Sequence, residues 1–144
     1  MSATDIVKRG NDAFNAHDVA ALRALTAEDC TFWSAGGVTA KGRDACIEAN
    51  TMWFQACSDA HVTVTQVVSE GDTVVVEGVF EGTHDGVLKT AMGDVPATGR
   101  RIHGEYVSID TVRNGLLATQ KLYFDRMQLA EQLGLIPAGT GTAS

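Results

Sequence analysis

Cysteine is scarce in this chain, and the few that occur do not form a recognisable pattern. Cys30, Cys46 and Cys57 are odd in number and have no Cys-x-x-Cys spacing. This disfavours a disulfide framework or a zinc site, and we expect buried free thiols in a reducing compartment. The four histidines are scattered along the chain, so they indicate no metal site either.

Basic residues and long apolar runs are also lacking. The chain has 11 Lys and Arg against 18 Asp and Glu, a net charge of -7, and no basic cluster larger than Arg100-Arg101. Nucleic acids and anionic membranes need a basic face, so we expect neither as a partner. No apolar run reaches the roughly 18 residues of a membrane span, and the polar N-terminus lacks a signal core. We therefore expect a cytoplasmic protein.

The rest of the sequence indicates a single domain that contains both helices and strands. The 144 residues suffice for a single core, and 44% of them are hydrophobic. Helical periodicity is followed by alternating, β-branched segments and then by one closing helix. The predicted helices are 4–16, a short one after Asp18, 43–57, and one from 126 that Gly134 ends. The predicted strands are 30–33, 61–69, 73–83, 101–112 and 116–124, with a loop at 85–98.

This order of elements predicts an α+β fold. We expect a curved antiparallel sheet with the N-terminal helices packed on one face, forming a cone with a central cavity. The mouth of such a cone is a common ligand site. The domain would span residues 1–136, and the small, polar segment 137–144 would be a flexible tail.

Several short motifs, in this order and spacing, resemble those of the SnoaL-like polyketide cyclases in the nuclear-transport-factor-2-like superfamily. They are F-N-A-H-D at 14–18, Gly42, N-T-M-W at 50–53, P-A-T-G-R-R at 96–101, the Asn114-Gly115 hairpin, Y-F-D at 123–125 and Q-L-G at 132–134. The resemblance implies the cone fold, a homodimer, and a pocket for a small, largely apolar molecule. It implies chemistry that needs no cofactor.

The resemblance also shows where this chain departs from its relatives. Cyclases of the family carry an acid/base Asp three residues before the Asp that opens the last helix, and Leu122 stands there in this chain. A His of the preceding strand corresponds to Ser108, and a Tyr of the first helix corresponds to Phe14. An Asn of the third helix is kept as Asn50. Leucine cannot transfer a proton, so the cyclase mechanism does not carry over intact.

Asp125 is the first carboxylate that could be a catalytic base, but its position also has a structural explanation. It stands where the last helix begins, with Gln128 three residues on, which is a capping-box spacing. A cap accepts a hydrogen bond from a free helix N–H and interacts favourably with the positive end of the helix. We therefore expect Asp125 to be an N-cap rather than a catalytic base.

The register of the hairpin at Asn114-Gly115 decides which residues share the cavity face. A plain two-residue turn pairs Ser108 with Lys121, whereas a turn with a bulge pairs it with Leu122. The family's functional pair at 108 and 122 requires the bulge, and we adopt it. The predicted wall is then Tyr106, Ser108, Asp110, Gln120, Leu122 and Phe124. Phe14, Trp33, Asn50 and Trp53 would close the cavity from the helical side.

Three of these residues are candidates for catalysis. Asp110 is the best remaining carboxylate for a base, although an exposed residue near the hairpin end is the plainer interpretation. Tyr106 could donate to a developing oxyanion or simply pack in the core. Asn50 is retained from the family pattern. We expect a binding site for a small, largely apolar molecule, with cyclase, isomerase or hydrolase chemistry. The alternatives are a binding domain without catalysis and a dimerisation module.

Overall fold

A computed structural model describes residues 1–90 and 93–137, so the predicted tail lies, from residue 138 on, outside the described residues. The elements run in chain order as follows: α1 Ala3–Asn15, α2 Val19–Leu25, β1 Thr26–Ser34, β2 Val38–Lys41, α3 Arg43–Ala56, β3 His61–Glu70, β4 Thr73–Thr83, β5 Leu88–Thr90, β6 Gly93–Val95, β7 Arg101–Arg113, β8 Leu116–Phe124 and α4 Arg126–Gln132.

Side-chain caps begin three of the helices. Ser2 caps α1 and forms a reciprocal capping box with Asp5. Asp18 caps α2. Asp125 caps α4, its Oδ1 accepting a hydrogen bond from the backbone N–H of Gln128 at 3.0 Å. The expected cap at Asp125 is therefore confirmed, and each cap satisfies an N–H that the first helical turn leaves free.

The main sheet has six strands in the order β2-β1-β8-β7-β4-β3. Every neighbouring pair is antiparallel except β1 and β8, which run parallel. The sheet is curved, and the helices pack on one of its faces, which confirms the predicted α+β architecture. The parallel pair was not foreseen, because β1 and β8 are too distant in sequence for any turn to set their direction.

The β7–β8 hairpin contains the predicted bulge. Asn114 and Gly115 both have positive φ angles, 53° and 75°, as a tight hairpin turn requires. The register then shifts between Thr111 and Val112, so that Ser108 lies opposite Leu122. A shift of one residue exchanges the two faces of a strand, and the bulge therefore decides which side chains of β8 face the helices.

Two features differ from the predicted elements. The strand β2 was not predicted, and the predicted loop at 85–98 contains a small hairpin of β5 and β6. Strands of three or four residues are too short to show an alternating pattern. His84, at the base of this hairpin, is fully buried, and its Nδ1 accepts a hydrogen bond from the Thr98 N–H at 3.2 Å. This hydrogen bond is internal to the segment that connects β4 to β7.

The core lies between the inner face of the sheet and the helices. Ile6 and Val7 of α1 pack against Val74 and Val76 of β4. Cys30, Cys46 and Cys57 are buried and free, as predicted. Burial raises the pKa of the Cys30 thiol to about 12 and that of Cys57 to about 11, so neither is a nucleophilic thiolate at neutral pH.

Candidate functional site

A cavity lies between the inner face of β4, β7 and β8 and the helices α1, α3 and α4. The centres of water-sized spheres can occupy about 140 Å³ of it. An apolar protein cavity of about 150 Å³ accommodates a benzene ring, so this one has room for at least a ring-sized molecule. Its walls are mainly apolar, formed by Phe14, Trp53, Phe80, Ile102, Leu122 and Phe124. Such walls favour an apolar ligand.

One carboxyl group lies among the polar residues of this cavity and is almost completely buried. Asp110 is only 4% exposed and Ser108 is 6% exposed. The Ser108 hydroxyl donates to Asp110 Oδ2 at 3.4 Å, while Oδ1 has no hydrogen-bond partner among the described residues. A buried polar atom without a partner costs free energy, so it calls for an explanation.

The environment of Asp110 shifts its proton affinity into the neutral range. Burial raises the pKa of Asp110 to about 7, and the hydrogen bond from Ser108 only partly opposes this. Such a carboxyl can both accept and release a proton near neutral pH. Burial, with a smaller contribution from Asp110, raises the pKa of Tyr106 to about 12. Tyr106 therefore keeps its proton and can act as a hydrogen-bond donor.

Two side-chain amides connect the helical side of the cavity to the sheet. Asn50 on α3 donates from Nδ2 to the backbone carbonyl of Cys46 and to Gln120 Oε1, both at 3.0 Å. Gln120 lies directly opposite Asp110 in the β7–β8 register. Side chains opposite each other on one face have Cβ atoms about 5 Å apart, so the amide pair and the carboxyl form one polar cluster.

Gly78 makes room for the ring of Tyr106. The two residues are paired across β4 and β7. A Cβ atom at position 78 would lie 2.7 Å from the Tyr106 hydroxyl and 2.8 Å from the backbone oxygen of Thr63. The absence of a side chain at this position therefore leaves room for the end of the Tyr106 ring beside β4.

The structure brings all the predicted site residues to the cavity except Trp33. The prediction for Trp33 is wrong because Phe32 and Ser34 are its buried neighbours on β1, which turns Trp33 to the opposite face. There it pairs with Lys121, and its ring centroid lies 5.0 Å from that of Tyr123. Asp110 lies in the predicted cavity wall and is buried, so the alternative of an exposed residue near the hairpin end does not hold; the helices cover this part of β7.

Sequence reasoning missed several lining residues. Phe80 could have been predicted from the sequence, because it alternates with Val76 and Gly78 on the inner face of β4. Gln132 had no local signal: its side chain donates to the His103 carbonyl at 2.7 Å and accepts from the His103 N–H at 2.9 Å. These two bonds hold α4 against the first part of β7, which extends beyond the end of β8.

Within the described residues, the cavity has no metal-binding cluster and no second buried carboxyl group. Among residues 1–90 and 93–137, no group of three or more His, Cys, Asp or Glu side chains is arranged to hold a metal ion. Of the carboxylate residues found to line the cavity, Glu105 and Asp125 are exposed, and Asp110 is the buried one. In the same described part of the chain, no helix is long and apolar enough to cross a membrane.

Comparison with known families agrees with this architecture. The family model of the SnoaL-like polyketide cyclases matches residues 4–133. The chain belongs to this family. The family assignment covers the helices and the whole sheet, so it includes every residue of the polar cluster. None of the curated proteins compared with the chain matches it significantly.

Three solved structures share the fold with this chain at low sequence identity. A candidate SnoaL-like polyketide cyclase from Jannaschia sp. CCS1 is 22% identical with a TM-score of 0.82, covering 94% of this chain and 93% of its own. The candidate polyketide cyclase IdmH from Streptomyces antibioticus is 26% identical (TM-score 0.76; 93% and 99% covered). The candidate hydroxylase AclR from Streptomyces galilaeus is 18% identical (TM-score 0.80; 98% and 86% covered).

Proposed function

We propose that this SnoaL-like protein binds a small, largely apolar molecule in its cavity and transforms it by proton transfer without a cofactor. The reaction would be of the cyclase, isomerase or hydrolase type. The observation that carries the proposal is the buried carboxyl of Asp110 in a mainly apolar cavity, whose Oδ1 has no hydrogen-bond partner among the described residues. Carboxyl groups kept near neutral pKa in a cleft are typical of catalytic sites.

The geometry supports distinct roles for the three candidate catalytic residues. Ionised Asp110 would remove a proton from a carbon or water held against it, and would return that proton later in the reaction. Tyr106, which stays protonated, would donate a hydrogen bond to the oxygen on which negative charge develops. Asn50 would act through Gln120, to which it is hydrogen-bonded. Because Leu122 occupies the family's acid/base position, the proton-transfer role would fall to Asp110.

Exchange of α-protons offers a test that does not require the natural substrate. We expect the protein to accelerate deuterium incorporation into 2-tetralone in D₂O, measured by NMR, above the rate in buffer. Asp110→Asn should abolish the acceleration and Tyr106→Phe should reduce it by about 100-fold to 1000-fold, the usual cost of removing one oxyanion donor. Asp12→Asn, at an exposed position on α1, is the matched control. Undiminished exchange by Asp110→Asn would contradict the proposed role.

A binding domain without catalysis is the second candidate. It is favoured by Leu122, Phe14 and Ser108, which replace a carboxylate, a phenol and an imidazole of the family pattern. It predicts that apolar ketones and epoxides raise the melting temperature in a thermal-shift assay while none of them is turned over. A melting temperature that no ligand changes would instead favour a dimerisation module.

A homodimer through the outer face of the sheet is also part of the proposal. Across this face the strand pairing aligns Val68, Val75, Ile109, Lys121 and Trp33 in one row. Within the described residues, helices cover only the opposite face, and a second copy would bury the apolar members of this row. Light scattering after size exclusion should give twice the mass of one chain, and Ile109→Lys should shift it to the monomer. A monomeric wild type would remove this part of the proposal.

A further inference from the structure

The hydrogen bonds of Asn50 define which way its amide faces. Asn50 Nδ2 lies 3.0 Å from the backbone carbonyl oxygen of Cys46, one turn earlier on α3. A carbonyl oxygen can only accept, so the amide nitrogen must be the atom that faces it. The flipped amide would place two oxygens against each other. A backbone group thus determines the orientation of this side chain.

The orientation of Asn50 in turn determines that of Gln120. The same Nδ2 atom donates to Gln120 Oε1 at 3.0 Å. Because Asn50 supplies the donor, Gln120 must present its oxygen to it, and its Nε2 is turned away. Among the described residues, no group accepts a hydrogen bond from Gln120 Nε2. Gln120 lines the cavity, so its free N–H groups are available to a ligand.

The position of Gln120 gives this donor a defined place in the site. Gln120 lies opposite Asp110 on the inner face of the sheet. An acceptor oxygen held by Gln120 would bring the adjacent carbon of the ligand close to the Asp110 carboxyl. The unpartnered Asp110 Oδ1 is an independent sign that a ligand completes this cluster.

We propose that Gln120 is a specificity-determining residue of the cavity, donating from Nε2 to the carbonyl oxygen of an apolar ketone, and that Asn50 is the positioning residue that sets this orientation. This rests on the proposed function, because it assumes that the cavity binds a ligand. It adds the chemical class of that ligand and assigns Asn50 an indirect role.

Two ligands that differ by one oxygen test the inference: 2-tetralone and tetralin, which has the same ring system without the carbonyl. Dissociation constants are measured by calorimetry for the wild type, Gln120→Met and Asn50→Leu. Gln66→Met, at an exposed position on β3, is the control for the glutamine-to-methionine exchange. In Gln120→Met the ratio of ketone to hydrocarbon affinity should fall about fivefold, the effect of one net hydrogen bond, while tetralin binding stays the same.

Asn50→Leu removes the amide that orients Gln120. It should lower the same ratio by about twofold to fivefold, since Gln120 then turns freely, and Gln66→Met should leave it unchanged. A ratio that neither variant lowers would overturn the inference while the cavity still binds, which leaves the proposed function intact. Failure of both ligands to bind the wild type would defeat both proposals together.

A measurement on the wild-type protein tests the inference even if the variants fail to fold. The C=O stretching frequency of bound 2-tetralone should lie below its value in hexane, because the carbonyl accepts a hydrogen bond from Gln120. In folded Gln120→Met the frequency should return toward the hexane value. A bound ketone with the hexane frequency in the wild type would overturn the inference without any variant.

Discussion

Replacing Asp110 with asparagine is expected to stabilise the protein at neutral and alkaline pH. In the folded state the carboxyl is 4% exposed, and one of its oxygens has no hydrogen-bond partner among the described residues. Ionising it there means holding a charge in a largely apolar cavity, which is unfavourable. Asparagine has nearly the same shape and stays neutral at every pH, so it removes this cost.

The direction of the effect follows from the two pKa values. In the unfolded chain Asp110 has its ordinary value of 3.8, and burial raises the pKa to about 7 in the folded state. Between these values the unfolded chain has already lost the proton that the folded chain still holds. The contribution of Asp110 to stability is therefore greatest below about pH 4 and is lost as the pH rises to about 7.

The difference between the two pKa values sets the magnitude of the stability difference between Asp110→Asn and the wild type. From 3.8 to about 7, it corresponds to on the order of 4 kcal/mol. We expect Asp110→Asn to be more stable than the wild type by up to roughly this amount at about pH 8, and to differ by about 1 kcal/mol or less near pH 4, where both side chains are neutral.

Urea unfolding of both proteins from pH 4 to pH 8, followed by circular dichroism, measures the difference directly. Other titrating groups act alike in the two proteins, so they cancel in this difference. Asp12→Asn is the control and should show no such rise, because Asp12 is exposed. If the difference between Asp110→Asn and the wild type is the same at every pH, the carboxyl does not titrate as its burial requires.

Three further predictions concern residues that form or support the cavity walls. Gly78→Ala should destabilise the protein by about 1 to 3 kcal/mol in urea unfolding, because the new Cβ atom meets the Tyr106 hydroxyl at 2.7 Å; stability equal to the wild type would refute that contact. Asp125→Ala should cost about 1 kcal/mol through loss of the α4 cap, measured in the same way. Of the two tryptophans, only Trp53 lines the cavity, so ligand-induced quenching of fluorescence should survive Trp33→Phe and disappear in Trp53→Phe.

Features that depend on neighbours in sequence were predictable. The caps at Asp18 and Asp125 bind N–H groups three residues further on, and the Asn114-Gly115 turn closes between adjacent strands. Their energies depend on short-range geometry that residue type alone indicates. The bulge after this turn was a harder case, since the residues themselves permit both registers. The family's functional pair at 108 and 122 decided it correctly.

Features that depend on distant parts of the chain were not predictable in this way. Trp33 was misplaced because β1 pairs with β8 rather than with a neighbour in sequence, and its alternating pattern suits either face. Asp110 lies near a hairpin end, where residues are usually exposed, and only the covering helices bury it. The hydrogen bond from Asn50 to Gln120 joins residues that are 70 positions apart.

By itself, therefore, the sequence determined the class of fold and the family, because periodicity, turns and residue identity are local properties. That Leu122 stands at the family's acid/base position remains a prediction from the resemblance. The tertiary structure decided the chemistry of the cavity. A carboxyl becomes a candidate proton carrier only when the surrounding elements remove its water, and an amide becomes a directed donor only when a partner holds its oxygen. Both conditions depend on contacts between the helices and the sheet that no segment of the chain contains alone.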